Sequence, residues 1–190
     1  MDLPIASHIT NISSFAVGAR RLLKINIPPY EFFKNVCNFS RCLYACRNLI
    51  TATGFDVPLA KVYTVANMFM NDNNLTTCDF KLPCHGTRDA QFRSVFENCT
   101  SLTGDIADFF PPTGFSNKNI NLERTFFSCS SLTGTIPSSL LWECTDKVFN
   151  GTNCFNGCNN NIRSQAPISW GGSNDNIIVP LSMARTDVMP

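Results

Sequence analysis

Residues 92–106 read FRSVFENCTSLTGDI, and residues 122–136 read LERTFFSCSSLTGTI. Both run apolar, Phe four residues on, Cys three further, then Leu-Thr-Gly-x-Ile. The anchors are Phe92, Phe96, Cys99, Leu102 and Ile106, and then Leu122, Phe126, Cys129, Leu132 and Ile136. Working outward, the frame fits again at Phe39, Leu43, Cys46 and Leu49. It also fits at Val65, Phe69, Asp72 and Leu75, with Asp in the Cys slot. A weaker copy at Gly151, Phe155 and Cys158 has Asn161 in the Leu place. Slot spacings are 26 (46 to 72), 27 (72 to 99), 30 (99 to 129) and 29 (129 to 158). A half-repeat at Leu23-Lys24-Ile25-Asn26-Ile27-Pro28 matches Leu132 to Pro137. Self-similarity at such a period is the mark of a repeat architecture.

The periodicity within one unit predicts its local structure. Phe92, Phe96 and Cys99 stand at i, i+4 and i+7, which predicts one face of a short helix. Leu102 and Ile106, with Thr and Gly between them, predict a short extended segment. Gly104 and Gly134 permit a bend where backbones approach. Pro137, like Pro28, Pro58 and Pro83, ends the extended stretch by removing an amide donor. One such unit cannot hide its own apolar face, so units must stack, with their strands about 4.8 Å apart in a parallel sheet. The expected fold is mixed α/β: a leucine-rich-repeat-like solenoid with short helices and a parallel β-sheet, capped at both ends. Residues 1–35 are expected to form the N-terminal cap, 36–161 the repeats, and 162–190 a C-terminal cap or anchor segment. Within the ends, RLLKINIPPYEFF predicts a cap strand and a turn at Pro28-Pro29, and Asn176 to Val179 a short strand.

Composition narrows the function classes. The chain has 190 residues, 15 basic and 14 acidic, for a formal net charge of +1. A nucleic-acid binder needs a basic stripe to displace counterions, and this balance argues against one. Sixteen Phe are too much apolar surface to leave in water, which argues against disorder. Asn is abundant, at 21 residues. The start, Met1-Asp2-Leu3-Pro4, has an acid where a secretory signal carries a base, so an export signal is not expected. No stretch approaches the roughly 18 apolar residues of a membrane-spanning helix.

The FxxCxSLTGxIP frame resembles the BspA-like leucine-rich repeats, including the variant found in bacterial surface proteins and lipoproteins. It is also similar to segments of phage structural proteins. The resemblance covers roughly residues 36–161 and is carried by FENCTSLTGDI and FFSCSSLTGTIP. It is fainter in CLYACRNLITATGFDVP and MFMNDNNLTTCDFKLP. It implies a curved right-handed solenoid with a strand-lined face, adhesion or other protein contact, and no catalysis.

Candidate sites are few. The ten cysteines include Cys46, Cys99, Cys129 and Cys158, which share one slot. Helices stacked 8–10 Å apart would hold this column beyond disulfide reach, so reduced thiols packed as core are expected. Cys42 and Cys154 take a place held elsewhere by Met68, Val95 and Thr125, a packing pattern. Cys78, Cys84 and His85 form only a loose cluster, and no metal is expected. The histidines are His8 and His85; His85 directly follows Cys84, which turns the two side chains apart in an extended chain. Asp105, Asp108, Glu97 and Glu123 read as solvated acids, and no enzyme is expected. Arg20, Arg21 and Lys24 make too small a cluster for nucleic acid or membrane. Between Ile106 and Asn121, Phe109, Phe110 and Phe115 lie on an expected loop. They are the candidate contact residues, since inserted segments of repeat arrays tend to map to the binding face.

The reading that follows is a non-enzymatic structural or attachment protein, without cofactor. It would present a repeat surface to other structural proteins of a larger assembly or to a surface receptor. Homo-oligomerisation stays open. A phage virion component (tail, fibre or capsid decoration) is the first expectation, and a bacterial cell-surface adhesin is the alternative.

Overall fold

The computed structural model describes residues 9–26, 34–55, 61–84 and 88–179. Its extended elements are β1 (Lys24–Asn26), β2 (Thr51–Thr53), β3 (Thr77–Cys78), β4 (Ala90–Gln91), β5 (Asn119–Asn121) and β6 (Val148–Asn150). They form two parallel three-stranded sheets, ordered β1-β2-β3 and β4-β5-β6. The register pairs Lys24 with Thr51 and Thr51 with Thr77 in one sheet. In the other, Ala90 pairs with Ile120 and Ile120 with Phe149. Single parallel bridges join Asn11 to Asn38, Asn38 to Thr64 and Thr64 to Gln91. That line meets β4 at Gln91, which pairs with Asn121, which pairs with Asn150. The expected turn at Pro28-Pro29, and Pro58, lie outside the described residues.

The expected helix over Phe92–Cys99 does not form. Among the described residues the α-helix is α1 (Asn160–Arg163), with short 3-10 turns at Ile106–Phe109, Ser138–Leu140 and Ile168–Trp170. None of these is long and apolar enough to cross a membrane. The reason is in the backbone. Ser94 and Asn98 have φ of 56° and 63°, in the left-handed region. An α-helix requires right-handed dihedrals throughout, so two such residues four apart forbid it. The same pair recurs at 14/18, 41/45, 67/71, 124/128 and 153/157. Alternate amides then point out of the segment. Ser94, Phe96 and Asn98 N–H donate to Glu123, Thr125 and Phe127 carbonyls at 2.8–2.9 Å. The intervening amides close turns at home, as Cys99 N–H does to Phe96 O at 2.9 Å. The 4-3 apolar spacing thus comes from successive turns, in which every second amide is spent on the next segment.

This pattern reaches back into the segment expected to be a cap. Ser14, Ala16 and Gly18 N–H donate to Ser40, Cys42 and Tyr44 carbonyls at 2.8–2.9 Å. Four of the six segments are entered through an Asn side-chain cap. Asn11, Asn38, Asn121 and Asn150 Oδ1 accept from the amides of Ser13, Ser40, Glu123 and Thr152 at 2.8–3.2 Å. Asn favours such local turns because its amide oxygen reaches the backbone two residues on.

The core lies inside these segments. Phe92, Phe96, Cys99, Leu102, Ile106, Leu122, Phe126, Cys129 and Leu132 are fully buried, and Ile136 is 4% exposed. Phe69, Phe96, Phe126 and Phe155 stack ring on ring, with centroids 5.3, 5.6 and 6.2 Å apart and planes within 13° of parallel. Trp170 stacks next on Phe155 at 6.2 Å. The Phe155 amide donates to the Trp170 carbonyl at 2.9 Å, so the C-terminal side of the stack is covered. The expected strand at Asn176–Val179 is absent; Ile178 there is 88% exposed.

Candidate functional site

The Phe-rich segment was the first candidate, and its rings face inward. Phe109, Phe110 and Phe115 are 3%, 2% and 5% exposed. Asp105 caps the 3-10 turn Ile106–Phe109 by accepting the Ala107 amide at 2.9 Å, which aims Phe109 inward. There Phe109 meets Phe96 edge-on at 5.1 Å and Phe126 at 5.9 Å. Phe110 lies 5.5 Å from Phe126, and Phe115 lies between Phe92 and Phe149. Buried aromatic edges of this kind belong to packing. The expectation of loop-borne contact anchors is therefore corrected: the three rings are core and present no surface to a partner.

The slot shared by four cysteines forms a column of hydrogen-bond donors. Cys46, Cys99, Cys129 and Cys158 Sγ donate to the carbonyls of Ala16, Phe69, Phe96 and Phe126 at 3.0–3.2 Å. Each carbonyl belongs to the preceding segment. The helix spacing expected to keep these thiols apart does not apply, since the segments are joined by backbone hydrogen bonds. Packing and these Sγ–carbonyl bonds occupy the thiols instead, and all ten cysteines are free. Burial pushes Cys42 up to about 12 and Cys46 up to about 11, and holds Cys99 and Cys129 well above the ordinary thiol value. A thiol held protonated is a poor nucleophile and a poor metal ligand. Among the described residues no group of three or more His, Cys, Asp or Glu is placed to hold a metal ion. Burial also raises Cys84, while its neighbour His85, like His8, lies outside the described residues.

The acids are spent on structure. Glu97 is 4% exposed and accepts two hydrogen bonds from Arg124, at 2.6 and 3.0 Å. Burial alone would raise the Glu97 carboxyl, but hydrogen bonds from Arg124 and Ser94 hold it below the usual range. The same guanidinium lies 3.9 Å above the Phe127 ring. Glu123 faces Arg93 at 3.6 Å. Asp105 and Asp108 lie in or beside the 3-10 turn at 106–109. Glu97, read from sequence as solvated, is thus a buried ion-pair partner. Its only signal was that its partner, Arg124, takes the place of Ser94 one unit later.

Two features were not foreseen. Asp72 is fully buried in the thiol column, and neither carboxyl oxygen has a hydrogen-bond partner. The first segment carries exposed apolar side chains beside Arg20, Arg21 and Lys24: Phe15 is 75% exposed, Leu23 53%, Ile9 44% and Val17 44%. The chain matches no protein-family model. No curated protein and no solved structure matches it either.

Proposed function

We propose that the two sheets belong to one continuous leucine-rich-repeat-like solenoid, capped at both ends, that acts as a non-enzymatic structural attachment protein. The observation that carries this reading is the parallel register running from Asn11 through Asn38, Thr64, Gln91 and Asn121 to Asn150. A stack of that kind offers a long, regular, polar surface for protein contact. Residue chemistry supports the same reading. Thiols are locked to carbonyls, and Glu97 and Glu123 face arginines, which favours a scaffold over a catalyst.

The setting proposed is a phage virion, as a tail, fibre or capsid-decorating component, with other structural proteins of the assembly or a surface receptor as partners. Ten free thiols support assembly in a reducing compartment. Mass spectrometry of purified particles tests this directly. Recovery of the chain at a fixed stoichiometry with tail or capsid proteins is the expected result. Labelling confined to the surface of intact bacteria, with no chain in particles, would replace it with the cell-surface adhesin.

A further inference from the structure

We infer that the first described segment, residues 9–26, is a docking edge for an acidic stretch of another polypeptide that lies along it as an additional turn. The inference deepens the attachment reading and rests on it.

The backbone makes the first argument. In the second segment, Ser40, Cys42 and Tyr44 carbonyls each accept an amide from the segment before. The corresponding carbonyls of the first segment belong to Ser13, Phe15 and Val17. Among the described residues nothing donates to them. They form a row of acceptors at two-residue spacing, which is the edge that template pairing uses.

Side chains make the second argument. Phe15 occupies the place of Cys42, Met68, Val95, Thr125 and Cys154, which are at most 3% exposed. In the first segment that inward place is left 75% open, with Ile9, Val17 and Leu23 also exposed. An aromatic anchor beside an open hydrogen-bonding edge is what a peptide segment can cover.

Charge selects the partner. Residues 9–26 and 34–55 contain Arg20, Arg21, Lys24, Lys34, Arg41 and Arg47, and no Asp or Glu. Over the full sequence, residues 1–60 carry six basic and three acidic residues against seven basic and nine acidic in 88–190, so the net positive charge lies toward this end. A partner must bring amide donors to the edge and carboxylates to its flanks. Phosphate or an anionic headgroup meets the cations but is repelled by the row of carbonyl oxygens. A second copy is poorly suited. Two N-terminal ends present the same acceptors and the same charge, and at the far end the Phe155 amide is already taken by Trp170.

The test uses the whole chain and a synthetic peptide of residues 92–106 with Arg93→Glu, which carries the repeat's own donor edge and net negative charge. A control peptide is N-methylated at the positions of Ser94, Phe96 and Asn98. Titration followed by NMR should show saturable binding with shifts confined to residues 9–26 and their neighbours in 34–55. N-methylation or Phe15→Ser should each weaken it roughly tenfold or more. Raising salt from about 0.05 M to about 0.5 M should weaken it further. Phe15→Ser should leave the melting curve unchanged, because the ring is exposed. Binding indifferent to N-methylation, or none at about 1 mM peptide, overturns the inference. So does a dimer abolished by Phe15→Ser, or binding only to anionic lipid vesicles. Particle mass spectrometry is independent of this titration, so either reading can fail alone.

Discussion

At position 72 a carboxyl group stands where Cys46, Cys99, Cys129 and Cys158 put thiols. Those thiols donate to the preceding segment's carbonyl; an ionised carboxylate cannot donate at all. Burial pushes Asp72 up to about 8. The groups facing it are Cys46, Cys78 and Cys99, which supply no positive charge. The unfolded carboxyl titrates near 3.9. Folding therefore favours the protonated form, and this group's contribution falls as pH rises from about 4 to about 8, then levels off. Asp72→Cys should restore the column. It should raise unfolding stability by several kcal/mol at pH 8 and by little at pH 4, read from urea melts at both values. An equal gain at both pH values would show that the Asp72 carboxyl titrates alike in the folded and the unfolded chain. Ala45 makes a second residue-scale case. Its φ of 58° costs an L side chain about 1–2 kcal/mol. Ala45→Gly should raise the melting temperature by a few degrees, because the relief exceeds the roughly 0.5–1 kcal/mol entropic cost of glycine. The abundance of Asn becomes intelligible at this scale too. Of the twelve positions in the six left-handed pairs, Asn67, Asn71, Asn98 and Asn153 fill four, and four more Asn cap segment entries.

At the scale of elements, the apolar frame was legible and its backbone was not. Phe92, Phe96 and Cys99 face one interior whether the chain is helical or turns repeatedly, because both close on three- and four-residue steps. What separates them is the left-handed pair, and its occupants include Arg41, Ala45, Ser94 and Arg124, which carry no turn signal. Only Asn and Gly at some of these places could have suggested it. The weak last copy of the frame also has a structural reason. Gly151 holds the place of Phe92 and Leu122, and the Trp170 side chain from the C-terminal segment fills the space. A Cβ at Gly151 would overlap the Trp170 ring. Gly151→Ala should therefore expel Trp170 from its contacts with Trp142, Phe149 and Phe155. The expected cost is about 3–5 kcal/mol, as for emptying an aromatic site. A red shift of tryptophan emission in the folded state would report it; an unchanged spectrum and melt would mean the ring is not seated there. The burial of Phe109 and Phe110 carries the matching forecast. Phe109→Ala should lower stability by about 3–5 kcal/mol, measured by denaturant melts.

At the scale of the whole molecule, the sequence conveyed that segments cover one another, but not how the two ends differ. Repetition is visible in residues 92–136 because identical neighbours need identical side chains. Ends lack that constraint: Trp170 closes one by a contact from outside the frame, while Phe15 sits in an ordinary inward place that no described residue covers. The proposed continuity of the stack predicts how thiols become reachable. Cys42, Cys46, Cys99, Cys129, Cys154 and Cys158 are buried, whereas Cys37, Cys78, Cys84 and Cys144 are partly exposed. The Cys78 Sγ is itself buried, which leaves Cys37, Cys84 and Cys144 as the accessible set. Iodoacetamide at neutral pH should label these three within minutes and the buried six only on the timescale of unfolding. Because Cys46, Cys99, Cys129 and Cys158 are bonded to the segment before them, the buried six should be labelled together if the stack opens as a unit. If adjacent segments part independently, Cys42 and Cys46, next to the uncovered end, should be labelled ahead of Cys99 and Cys129. Denaturant without reductant should expose all ten to alkylation; fewer than ten modified sites by mass spectrometry would reveal disulfides and contradict the thiol column.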